Sequence, residues 1–85
     1  MKTYKAVAEI ILEGDVICSF AEGEVDAETS ADALREAVEG VYHYLRSITY
    51  HKDVCKGQEA GCVYWTNPSG QRVTERITVK EAQNH

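Results

Sequence analysis

Four carboxylates stand at every second position in the segment EGEVDAET, residues 22 to 29: Glu22, Glu24, Asp26 and Glu28, separated by Gly23, Val25 and Ala27. Alternation at period two marks a strand that turns one face to a core and the other to water, so all four acids are expected to project to one side. Such a row could ligate a divalent cation or dock against a basic surface. Hard cations want oxygens converging from several directions, whereas strand neighbours at i and i+2 stand about 6.6 Å apart and point the same way. The row therefore reads either as a solvated face, where acid also discourages edge-to-edge aggregation, or as a docking surface for a basic partner.

His51, Cys55 and Cys62 form an H-x3-C-x6-C pattern, to which His43 or Cys18 could add a fourth zinc ligand. Structural zinc sites usually bring a C-x2-C pair, and this chain has none. Cysteine is commonly just a small buried hydrophobe, so the three thiols are expected to be reduced, with no metal and no other cofactor. A Cys–His nucleophile needs a lowered thiol pKa and an orienting third group. The sequence offers neither, so no catalytic residue is assigned and the chain is not expected to be an enzyme.

The aromatics Tyr42, Tyr44, Tyr50, Tyr64 and Trp65 cluster in the second half beside Arg46, Lys52, Lys56, Arg72 and Arg76. Bases interleaved with aromatics can hold single-stranded nucleic acid by stacking over a charged groove. Here the positive charge is too thin, and direct nucleic-acid binding is not expected. Tyr64 and Trp65 are neighbours on one strand, so one faces the core and the other is exposed. An exposed aromatic next to Arg72 has the makings of a protein–protein hot spot. The candidate partner-binding residues are thus Glu22, Glu24, Asp26, Glu28, Tyr64, Trp65 and Arg72.

The elements that must position these residues can be read in order. TYKAVAEIIL places Tyr4, Ala6, Ala8, Ile10 and Leu12 on one side of a strand, with Lys5 and Glu9 on the other. EGD at 13 to 15 turns the chain, and VICSFAEGEV returns as its partner. Val16, Cys18 and Phe20 share the parity of the acids while Val25 does not, so the inward face must switch, and Gly23 is the natural place for a bulge. TSADALREAVEGVYHYLRSI reads as an amphipathic helix: Thr29 caps toward Asp32, and Leu34, Ala37, Val38, Val41, Leu45 and Ile48 recur at helical spacing. Ala33, Ala37, Gly40 and Tyr44 line a stripe suited to close approach on a sheet, and the helix should stop near Ser47. Residues 50 to 61 read as a loop or as a short strand followed by one. CVYWT, the turn NPSG and QRVTERITV form a hairpin with Val73, Ile77 and Val79 facing in. The expected fold is one α+β domain over residues 1–85: two hairpins in an antiparallel sheet, in β-β-α-β-β order, with one helix packed on a face.

With 85 residues, 44% of them hydrophobic and 27% charged, the composition suits a single small globule that folds alone or as a small oligomer, a homodimer included. MKTYKAVAEI lacks a sustained apolar signal region, no stretch resembles a membrane span, and the cytoplasm is the expected setting. The net charge of −5 is unevenly spread: Glu9 to Glu39 holds ten acids against Arg35, a net of −9, and the remainder is +4. Such polarity favours a basic partner for the early half.

Two resemblances follow from these segments. YKAVAE, ICSF and ETSADALREAVEGVYHYL, within residues 4 to 46, resemble the N-terminal part of HicB-like antitoxins, which implies a regulatory protein-binding module. Over the whole chain, hairpin, helix and hairpin in a short acidic protein is similar to small phage-encoded inhibitors of bacterial defence, notably anti-CRISPR proteins, with DAETSADALREA the nearest local likeness. That resemblance implies a non-catalytic inhibitor whose acidic or aromatic surface occupies a basic groove on a CRISPR effector complex and excludes nucleic acid from it.

Overall fold

The structure, a computed structural model, describes residues 1–82. Strands β1 (Lys2–Leu12) and β2 (Asp15–Ala27) precede helix α1 (Ser30–Arg46), and β3 (Lys52–Lys56), β4 (Cys62–Thr66) and β5 (Arg72–Glu81) follow it. The two hairpins are not separate layers. They join in one five-stranded antiparallel sheet of order β2-β1-β5-β4-β3, because the first strand also pairs with the last. β1 and β5 are therefore central, while β2 and β3 are the edges.

Local chemistry explains the connections. β1 and β2 are joined by Glu13 and Gly14, both at positive φ (52° and 86°), the pairing that a tight two-residue hairpin turn requires. Between β4 and β5, the Gly70 amide donates to the Asn67 carbonyl at 2.9 Å and the Asn67 side chain accepts from the Gln71 amide at 2.9 Å. At the head of α1, Thr29 Oγ1 accepts from the Asp32 amide at 3.2 Å, and the helix ends at Ser47, where the β-branched and aromatic Ile48, Thr49 and Tyr50 begin, so that Ile48 falls outside it.

Tyr4, Ala6, Ala8, Val63, Val73 and Ile77 supply the buried sheet face, and α1 sets Ala33, Ala37, Val38, Val41 and Leu45 against it, with Leu34 partly buried beside them. Ala6, Ala8, Ala33 and Ala37 let helix and sheet approach closely. The fully buried Ile77 and Val63 side chains are each worth about 1.5–3 kcal/mol relative to exposure. Gly40 does not share in that approach. It is exposed, and a methyl group added there would meet nothing within 4 Å. Tyr44 likewise stays outside the core, 65% exposed. No helix among the described residues is long and apolar enough to cross a membrane.

Candidate functional site

The row of acids is divided by the fold. Ala6 pairs with Gly23 and Val7 with Ala21, so Glu22 is the extra residue of a bulge, with Gly23 at φ 140°. The switch of parity expected at Gly23 is there, and it separates the carboxylates that the alternation alone would place on one side. Glu24 and Asp26 stand opposite Lys5 and Thr3 on the face away from the helix, where Thr3 Oγ1 donates to Asp26 Oδ1 at 2.7 Å. Glu22 turns to the helix side, and Glu28 lies past the end of the strand.

What the bulge produces is an acidic rim around the free edge of β2 in place of a flat row. Glu36 of α1 joins Glu22 along a shallow cleft between helix and strand that Gly23, Val25, Gly40 and Val41 also line. Among the described residues, Glu22, Glu24, Glu28 and Glu36 take part in no ion pair. Their charge is therefore offered to solvent and to partners. Glu9, by contrast, is held by Arg76 at 2.8 Å, an interaction that also raises the Arg76 pKa. Glu39 is taken by Lys56 and lies 3.3 Å from His43.

Tyr64, Trp65 and Arg72 do not join this rim, because β1 and β5 lie between β2 and β4. Tyr64 and Trp65 point to opposite faces, as strand neighbours must, and both are half-buried. Arg72 lies over the Tyr64 ring, 5.8 Å from its centre. Its guanidinium also donates to the Asp53 carbonyl at 2.9 Å, to Thr66 Oγ1 at 3.1 Å and to Cys55 Sγ at 3.0 Å. An arginine held by so many internal partners braces the β3–β4–β5 corner and has little left to offer a partner. Residues 52 to 56 are a strand, bent at Asp53, whose φ of 54° breaks the register with β4.

The histidine and cysteines are also dispersed. His51 packs on Trp65 with ring centres 4.0 Å apart, Cys55 sits under Arg72, and Cys62 is buried beside Glu59. Among the described residues no group of three His, Cys, Asp or Glu side chains is placed to hold a metal ion. Burial, and after it the Glu59 carboxylate, raise the Cys62 pKa. A thiol held protonated in this way is the reverse of an activated nucleophile. It lines a cleft of about 470 Å³ between α1 and the 57–61 loop.

One functional candidate escapes a reading based on exposed residues. Glu75 lies on the inward face of β5 between Val73 and Ile77, only 5% exposed, with no ion-pair or hydrogen-bond partner for its carboxylate among the described residues. Burial raises its pKa, and the negative charge of Glu22 raises it further. The Trp65 indole N–H, close to the carboxylate but outside hydrogen-bond geometry, opposes both. The signal was available as parity: a charged residue at an inward position of a strand otherwise occupied by Val73, Ile77 and Val79. Glu36 carries no comparable signal, because only the packed position of α1 brings it beside β2. No protein-family model, curated protein or solved structure matches this chain.

Proposed function

We propose that the chain is a non-catalytic protein-binding inhibitor whose acidic β2 edge docks into a basic, nucleic-acid-binding groove of another protein. The observation that carries this reading is the rim itself: Glu22, Glu24, Asp26, Glu28 and Glu36 surround one sheet edge, and among the described residues Asp26 alone of these has a side-chain partner. Carboxylates fixed along a strand and a helix can take the place of phosphates against Lys and Arg, and they displace the same counterions that nucleic acid would displace. Edge strands expose unpaired backbone groups, so a partner can add main-chain hydrogen bonds to the electrostatic attraction. The anti-CRISPR resemblance supplies the finer proposal, that the groove belongs to a bacterial defence effector in the cytoplasm of a phage-infected cell.

The test is capture of a partner from a bacterial lysate on the immobilised protein, followed by elution with either short double-stranded nucleic acid or salt. Release by nucleic acid at an ionic strength that leaves the complex otherwise intact is the expected result. A partner indifferent to nucleic acid, or one retained at high salt, would refute occupation of a phosphate-binding groove.

A further inference from the structure

Where the C-terminal half of α1 passes over the sheet, Phe20, Glu22, Tyr44 and Glu75 line a half-open cavity of about 300 Å³, at the small end of the range for ligand pockets. Its walls have two chemistries. Phe20 and Tyr44 are large aromatics left 42% and 65% exposed. Glu22 and Glu75 are carboxylates that line the same space, the negative charge of Glu22 reaching Glu75, and Glu75 is nineteen-twentieths buried with no ion-pair or hydrogen-bond partner of its own among the described residues. A buried carboxylate facing a cavity without a cation is the arrangement that a bound positive group would complete.

We infer that this cavity is a receptor for one arginine side chain of the basic partner, its guanidinium stacked on Phe20 and Tyr44 and hydrogen-bonded to Glu22 and Glu75. This assignment rests on the docking reading above and gives it a point of specificity. A planar guanidinium suits the two kinds of wall at once. It stacks on aromatic faces more readily than an ammonium, and its forked donors can serve two carboxylates. The bulge is what makes the receptor possible. Without the extra residue, Glu22 would follow Glu24 and Asp26 to the opposite face of the sheet. The receptor also sits next to the Glu22–Glu36 cleft, so an arginine entering it would come from a chain already lying along the acidic rim.

The experiment is an NMR titration of the isotope-labelled protein with the blocked amino acid N-acetyl-arginine methylamide, with the lysine equivalent and tetramethylammonium as comparison probes. The expected result is saturable shift changes at residues 20, 22, 44 and 75 and at the Trp65 indole N–H, stronger for arginine than for lysine or tetramethylammonium. Glu75→Gln preserves the side-chain shape and should weaken arginine binding about tenfold or more. Tyr44→Ala, at a largely exposed position, should weaken it with the fold intact. Shift changes spread evenly over Glu24, Asp26, Glu28 and Glu36, a titration unchanged by Glu75→Gln, or no shifts at all would overturn the receptor. Preferential binding of tetramethylammonium would overturn the arginine assignment in favour of a quaternary amine. Failure here alongside a lysate partner released by nucleic acid would leave the docking edge standing without the receptor. Arginine binding with no such partner would do the reverse.

Discussion

Glu75 is the residue on which the core and the surface meet. A carboxylate on the inward face of β5, lining the cavity with Phe20 and Tyr44, is disfavoured as an anion, first by burial and then by Glu22, and both effects raise its pKa in the folded protein. The folded state therefore holds its proton to higher pH than the unfolded chain does. The sign follows: this group contributes stability that is fully present below its ordinary value of 4.5 and is lost as pH rises through the folded value. Glu75→Gln is accordingly expected to raise the melting temperature at pH 7, with the gain shrinking toward pH 4. Thermal unfolding of both proteins across that range checks it, and a Gln variant less stable than wild type at pH 7 would count against an unpaired buried anion. Cys62, also buried, poses no such problem, because its neutral thiol is the form that burial favours. The inward parity of Glu75 was visible in the chain. That it opens into a cavity was not, since Phe20, Glu22 and Tyr44 come from two other elements.

Two glycines in neighbouring elements make opposite demands. Gly23 holds the bulge at φ 140°, a backbone region closed to other residues at little cost, although no atom lies within 4 Å of an added methyl. Gly23→Ala should destabilise by about 1–3 kcal/mol and disturb the placement of Glu22, seen as a lower melting temperature and shifted amide resonances in residues 20 to 24. Gly40 sits in a helix with open space around it, so Gly40→Ala should stabilise by up to about 1 kcal/mol. Equal effects of the two substitutions would show that the bulge and helix environments are not as described. Leu45, 2% exposed in the core, should cost about 2–5 kcal/mol when cut to alanine. The helix, its cap at Thr29 and the NPSG hairpin were legible because each is specified by residues close in sequence. The division of the acids was only half legible: Gly23 announced a bulge, but which carboxylate it would displace depends on the register with β1. β3 was ambiguous for a related reason, because its polar residues acquire strand character from pairing with β4 rather than from a pattern of their own.

The uneven charge of the chain becomes an uneven charge of the folded protein. Its acidic stretch forms β2, at one edge of the sheet, and α1, which crosses the sheet's face, while Lys52, Lys56, Arg72 and Arg76 lie on β3 and β5. Several of the bases are occupied internally, Lys56 by Glu39 and Arg76 by Glu9, while the acids of the β2 rim are in no ion pair among the described residues. An elongated molecule of 44 × 22 × 21 Å with one acidic edge will orient in the field of a basic groove before contact, which raises the rate of association more than the lifetime of the complex. Neutralising the rim should leave the fold intact, since like charges on one edge repel and their loss costs little. The most direct measurement is association kinetics with the captured partner at two ionic strengths, for the wild type and for a combined Glu22→Gln, Glu24→Gln, Asp26→Asn protein. A slower on-rate and a shallower dependence on salt for the variant, at an unchanged or higher melting temperature, is the outcome expected of an acidic docking edge. Identical kinetics for the two proteins at both ionic strengths would contradict it.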